Sequence, residues 1–179
     1  MTSILENINQ LISEASTLPN RQRVEVIIRN PEKEVMLILF PSHGYSSNKP
    51  ILEFVGGGVE PGDSLIQTVK KEALEEVGVA VTNIKKVRIK TFESNWENSD
   101  HVSAKKKAMF KGTETTFFTA DYKEKDMSLY GSAGDEVDYI FVSVNEAVNK
   151  IKQQITRFNK EDPQRVPLFE YYLKVLRVL

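Results

Sequence analysis

The chain has no cysteine, which excludes disulfides, a thiol nucleophile and any cysteine-based zinc site. It has no excess of charge either. The formal net charge is −1, so its overall electrostatics favour neither nucleic acid nor a membrane surface. No stretch approaches the roughly 20 consecutive apolar residues of a membrane span. The opening MTSILENINQ lacks a basic segment followed by an apolar run, so it does not read as a secretion signal. Internal repeats and low-complexity tracts are also missing. These absences lead to the expectation of a soluble, cytoplasmic protein with no membrane partner and no sequence-specific nucleic acid. What remains is 179 residues, 40% of them hydrophobic, enough for one packed domain with a terminal extension. The expected division is a helical extension over 1–20 and a single domain over 21–179.

One stretch, residues 56–79, carries most of the chemistry: GGGVEPGDSLIQTVKKEALEEVGV. It reads as a loop, a helix and a stop. Gly56, Gly57 and Gly58 allow a close approach that a Cβ would block. Pro61-Gly62 marks a turn, Asp63 or Ser64 can cap a helix start, and Gly78 suits the position just past a helix end. At about 100° per residue, Ile66, Val69, Ala73 and Val77 form a stripe expected to face the core. Glu72, Glu75 and Glu76 form another. Glu72 and Glu76 are a like-charged i,i+4 pair, which costs a bare helix roughly a few tenths of a kcal/mol. A lone glutamate-rich helix is ordinarily a solvated face. Here the glycines, the turn at fixed spacing and the terminal glycine favour a divalent cation between the carboxylates, and oxygen-only ligands point to Mg²⁺ or Mn²⁺ rather than zinc.

This stretch resembles the Nudix box, G-x5-E-x7-R-E-U-x-E-E-x-G-U with U apolar. Here it runs from Gly57 through Asp63 to Lys71-Glu72-Ala73-Leu74-Glu75-Glu76-Val77-Gly78-Val79. The spacing fits throughout. Asp63 stands where the family has glutamate and Lys71 where it has arginine; both keep the charge, and Lys71 lacks the forked reach of arginine. The resemblance implies an α/β (α+β) fold, a Nudix-type α/β/α sandwich with a mixed β-sheet. It implies metal ligation by Glu72, Glu75, Glu76 and the Gly56 carbonyl, with Lys71 orienting the glutamates. It also implies hydrolysis of a nucleoside diphosphate linked to another moiety. The general base is Glu72 in some members and a glutamate on a distant strand or loop in others. Glu136 and Glu114 are the candidates of that second kind.

Around the box, residues 4–16 have helical apolar spacing. Residues 23–29 and 34–40 read as a strand pair joined by Asn30-Pro31-Glu32-Lys33, and 51–55 as a short strand entering the glycines. Residues 82–93 form a strand whose apolar residues only roughly alternate. Residues 108–122 hold one or two strands, 139–144 a last one, and 145–158 and 167–179 two helices. The polar loop 41–50 holds His43 and Tyr45, which can touch a substrate. The connection 94–107 carries the single tryptophan, Trp96, whose face can stack on a base. It also carries three lysines, Lys105, Lys106 and Lys107, and His101, for which the sequence offers no ligand partner. A strand–helix–strand–helix order suits a mixed sheet between helices.

Substrate choice lies outside the box. The proline about fifteen residues past it that marks many ADP-ribose hydrolases is missing, as is the slightly later tyrosine of many dinucleoside polyphosphate hydrolases. ADP-ribose, nucleotide sugars, dinucleoside polyphosphates and similar compounds therefore all stay open, as does a homodimer. Two rival classes share the fold. A nucleotide-binding sensor with weak catalysis would have no need of three crowded carboxylates. An isoprenyl diphosphate isomerase ordinarily needs a cysteine, and this chain has none.

Overall fold

In this computed structural model the described residues are 18–41, 49–92, 105, 109–131 and 137–179. The expected N-terminal helix, and with it most of the 1–20 extension, lies outside them. Six strands form one sheet: β1 (Asn20–Arg29), β2 (Val35–Phe40), β3 (Ile51–Glu53), β4 (Val79–Phe92), β5 (Gly112–Lys125) and β6 (Asp138–Val142). Among the described residues three α-helices accompany them: α1 (Leu65–Val77), α2 (Val144–Glu161) and α3 (Val166–Leu176), the last two joined by a 3₁₀ turn at Pro163–Arg165. β1 runs parallel to β5 and the other pairings are antiparallel, so the sheet is mixed, as expected. No helix among the described residues is long and apolar enough to cross a membrane.

The expected β1–β2 hairpin forms but opens at once. Arg29 pairs with Val35, and beyond that pair the strands diverge. Ile38 pairs with Glu53 on one side and Tyr139 on the other, while Val35 pairs with Arg29 and Val142. β1 and β3 therefore share one edge of β2, and β6 takes the other. The segment 51–58 fills the gap that the splayed hairpin leaves, bridging Val26 at Val55 and Arg23 at Gly58. On its far side β3 is held by Gln154 of α2, which accepts from the Leu52 N–H (2.7 Å) and donates to the Leu52 carbonyl (2.8 Å).

Period-two alternation assigns side chains to the two faces. Val24, Val26 and Ile28 of β1, Met36 and Ile38 of β2, and Phe118 and Ala120 of β5 meet α1 through Val69, Ala73 and Val77. Ile27, Val35, Leu37 and Phe117 meet α2 and α3 through Ala147, Ile151, Phe158, Phe169, Tyr172 and Val175. The uneven alternation in β4 has a physical cause. Its pairing with β5 slips at Ala80/Val81, Thr82/Lys85 and Lys86/Arg88, and Asn83 adopts a φ of 49°. At the first slip the extra residue is Lys123 of β5; at the other two it lies in β4, and each of these shifts the β4 alternation by a residue.

Candidate active site

Helix α1 begins at Ser64, one of the two caps the sequence offered. Ser64 accepts from the Gln67 N–H (3.2 Å), and Gln67 accepts from the Ser64 N–H (2.8 Å), a reciprocal capping box. It ends at Gly78 with φ 62°, the left-handed conformation that glycine adopts without penalty. Val69, Ala73 and Val77 are buried as expected, but Ile66 is not: it is 40% exposed. The reason is position along the helix. By angle Ile66, about 60° from Val69, falls between Ala73 and Val77, but it sits in the first turn at the helix end. Glu76, in the last turn, lies only about 20° beyond Val69 at the edge of the buried arc. Glu76 is 6% exposed, so one member of the carboxylate stripe is buried alongside the apolar one.

Two carboxylates of α1 meet the glycine segment. Glu76 Oε2 accepts from the Gly56 N–H at 3.1 Å. The Glu72 carboxylate packs directly on Gly57, where a Cβ would overlap it. The segment is pinned to β1: Val24 N–H donates to the Gly57 carbonyl (2.9 Å), Val26 N–H to the Val55 carbonyl (2.8 Å) and Val59 N–H to the Gln22 carbonyl (3.0 Å). A Cβ on Gly56 would strike the Val24 carbonyl and the Glu25 backbone, so only glycine lets the strands approach this closely. Burial pushes the Glu76 carboxyl up to about 9. The Gly56 N–H opposes that rise, and the negative charges of Glu72 and Glu25 add to it.

On the other side of the same glycine stands a group that the sequence reading treated as plain strand. Arg23 Nη2 donates to the Gly56 carbonyl (3.2 Å), and its Nε donates to Glu25 Oε1 (3.0 Å). Glu25 is fully buried, and its second oxygen accepts from the Tyr172 hydroxyl of α3 at 3.0 Å. Burial raises the Glu25 carboxyl to about 7 against the opposing pull of the Arg23 guanidinium. The signal was present in RVEVIIR: Arg23, Glu25 and Ile27 share a face, and a carboxylate flanked by buried valines needs a partner.

The other expected site residues are distributed as follows. Glu75 and Lys71 are half-buried on α1. The Glu75 carbonyl accepts from the Gly131 N–H (3.0 Å) and the Glu76 carbonyl from the Val137 N–H (3.2 Å), so the two ends of segment 131–137 are tied to the last turn of α1. Glu136 itself lies outside the described residues, as do His43, Tyr45, Trp96, His101, Lys106 and Lys107. Glu114 stands on β5 opposite Gln22, whose Nε2 donates to it at 2.9 Å. Among the described residues, no three acidic or histidine side chains converge into a metal cage.

The domain model of the NUDIX family, described as NUDIX domain, matches residues 19–168. An RNA pyrophosphohydrolase of Bartonella bacilliformis is 29% identical over 71 residues, a segment covering 38% of this chain and 42% of that protein. The chain thus matches less than half the length of that curated relative. Among solved structures, one titled as an ADP compounds hydrolase superposes with a TM-score of 0.62 at 15% identity, covering 90% of this chain and 74% of the other. A MutT structure from work on Aliivibrio salmonicida and Vibrio cholerae gives 0.51 at 17% identity, covering 87% and 98%. At these identities the superpositions speak for the fold.

Proposed function

The chain is a member of the Nudix family, and on that premise we propose that it hydrolyses the diphosphate linkage of a nucleoside diphosphate derivative by attack of water on phosphorus. The observation that carries this reading is the meeting of Glu72 and Glu76 at residues 56–57. Two carboxylates brought together beside a backbone carbonyl are an all-oxygen donor set that suits a divalent cation. The donor set fits such an ion. Mg²⁺ is commonly held by one or two carboxylates together with water and substrate phosphates rather than by an all-protein cage. Glu72, Glu76 and the Gly56 carbonyl would hold it, with Glu75 as a further ligand on the same helix. When bound, the ion neutralises phosphate oxygens and lowers the pKa of a water.

The chain's own groups do the rest. Glu72 or Glu136 accepts the proton of the attacking water. The new O–P bond forms as the bridging P–O bond breaks, giving two phosphate-bearing fragments. Lys71, next to Glu72 in the chain, orients the carboxylates. Trp96, Tyr45 and Glu114 contribute to substrate binding. The relative named RNA pyrophosphohydrolase supports a phosphorus anhydride as the bond class. The test is a hydrolysis screen over nucleoside diphosphate derivatives with and without Mg²⁺, with Glu76→Gln as control. Mg²⁺-dependent release of phosphate-bearing products, lost in the variant, is expected. Metal-independent or absent turnover across the panel would overturn the reading.

A further inference from the structure

We infer that Arg23, Glu25 and Tyr172 form a relay that positions the Gly56 carbonyl, so that the closing helix α3 sets the geometry of the catalytic loop. The inference rests on the metal-dependent reading above and goes beyond it, since none of the three residues belongs to the box. The contacts are continuous. Tyr172 donates to one oxygen of Glu25, Arg23 donates to the other and to the Gly56 carbonyl, and the Gly56 N–H donates to Glu76. Both peptide units flanking the Gly56 Cα are therefore fixed by side chains, one from β1 and one from α1.

The choice of residue types follows from what the carbonyl must do. A carbonyl oxygen has two lone pairs. Arg23 uses one and fixes the direction of the other. A guanidinium alone at this place would repel a second cation. Glu25 removes that objection by pairing with it at 3.0 Å from full burial. Glu25 in turn would swing without a second anchor, and the Tyr172 hydroxyl is that anchor. Tyr172 is itself locked, packed at ring-centroid distances of 4.3 Å on Phe54 and 5.8 Å on Phe169. Arginine suits the place because its rigid planar fork holds a carboxylate and a carbonyl in a fixed relative direction, which the rotatable ammonium of a lysine does not. The three are positioning residues; they act on the site through Gly56.

The test uses the full chain with Tyr172→Phe, which keeps the ring and removes only the hydroxyl, and Arg23→Lys, which keeps the charge and removes the fork. Three quantities are read: the amide resonances of Gly56 and Gly57, the affinity for Mn²⁺ without substrate, and kcat and KM separately. Expected are shifted glycine resonances, Mn²⁺ binding weakened severalfold, and kcat lowered about tenfold with KM unchanged, on the scale of outer groups that orient metal ligands. A folded Tyr172→Phe with wild-type glycine resonances and Mn²⁺ affinity, and only a lower melting temperature, overturns the relay. If that variant does not fold, Arg23→Lys decides by the same readouts. A wild-type protein that neither binds Mn²⁺ nor hydrolyses any anhydride defeats the functional reading instead, while the glycine resonances still decide whether the relay positions the loop.

Discussion

The face of the sheet under α2 and α3 is closed by rings, with Phe54, Phe117, Phe158, Phe169 and Tyr172 all buried there. The face under α1 is closed mainly by valines, isoleucines and alanines, with Phe118 its only buried ring among the described residues. Rings bury the most area per residue and pack with directional preferences. Small aliphatic side chains give less, but they let a helix come close. At α1 that closeness matters, because Glu72 and Glu76 reach the glycine segment only if the helix lies almost on it. Burying Glu76 costs stability, and the ringed face offsets that cost. The two faces thus divide the work between holding the molecule together and presenting charge.

The comparison can be broken from either side. The largest effect belongs to the ringed face. Phe158→Ala should lower unfolding stability by about 3–5 kcal/mol, the usual range for emptying a packed aromatic site. Activity per folded molecule should change little; denaturant melts and kcat below the transition check both. On the other face the order reverses. Glu76→Gln should lower turnover by more than about 100-fold, beyond what orienting groups alone contribute. Its melting temperature without metal should be little changed, because the amide still accepts from the Gly56 N–H and, like the protonated carboxyl, carries no charge.

A finer cut uses two adjacent glycines. Gly57→Ala meets only the movable end of Glu72, so it should fold near normally and lose about tenfold in activity through displacement of that carboxylate. Gly56→Ala meets the β1 backbone and should lose stability and activity together. The same assay and melt on both variants separate the two. The smallest effect lies away from either core. The Asn83 side chain, with Arg29 adding to it, holds the Asp121 carboxyl below its usual range. A depressed carboxylate adds stability above its unfolded value and gives it up as pH falls toward the folded one. Asp121→Asn should therefore lower stability slightly in the neutral region and flatten the acid side of the stability–pH curve, where the wild type gives up the same increment.

How much of this was readable in the sequence follows from the range of the interactions. The box, the helix caps and the strand pair are local, set by spacing and by residues within a few positions of one another, and they form as the pattern implies. Glu76 was readable as a site residue, but its burial was not. Its angle, about 20° from Val69, was open to calculation, yet it was assigned by residue type to a separate stripe. Ile66 lies inside the apolar stripe by angle and is exposed because it sits in the first turn. The Arg23–Glu25–Tyr172 relay joins residues 147 apart in the chain at its hydroxyl–carboxylate contact, and no local pattern records such a meeting. The bulges of β4 hid its alternation for the same reason: they are set against β5.

The splayed hairpin has a mechanical consequence. Because β1 and β2 part after a single pair, the glycine segment is a member of the sheet, hydrogen-bonded along β1 like a short strand. A segment held in this way cannot swing as a flap. It is the fixed jaw of the site, and the amide protons of Val24, Val26 and Val59 belong with the slow exchangers of the sheet. Any accommodation to substrates of different length must come from chain that is not woven into the sheet. The glycines, usually read as a source of freedom, here are what allow two backbones to lie close enough to lose it.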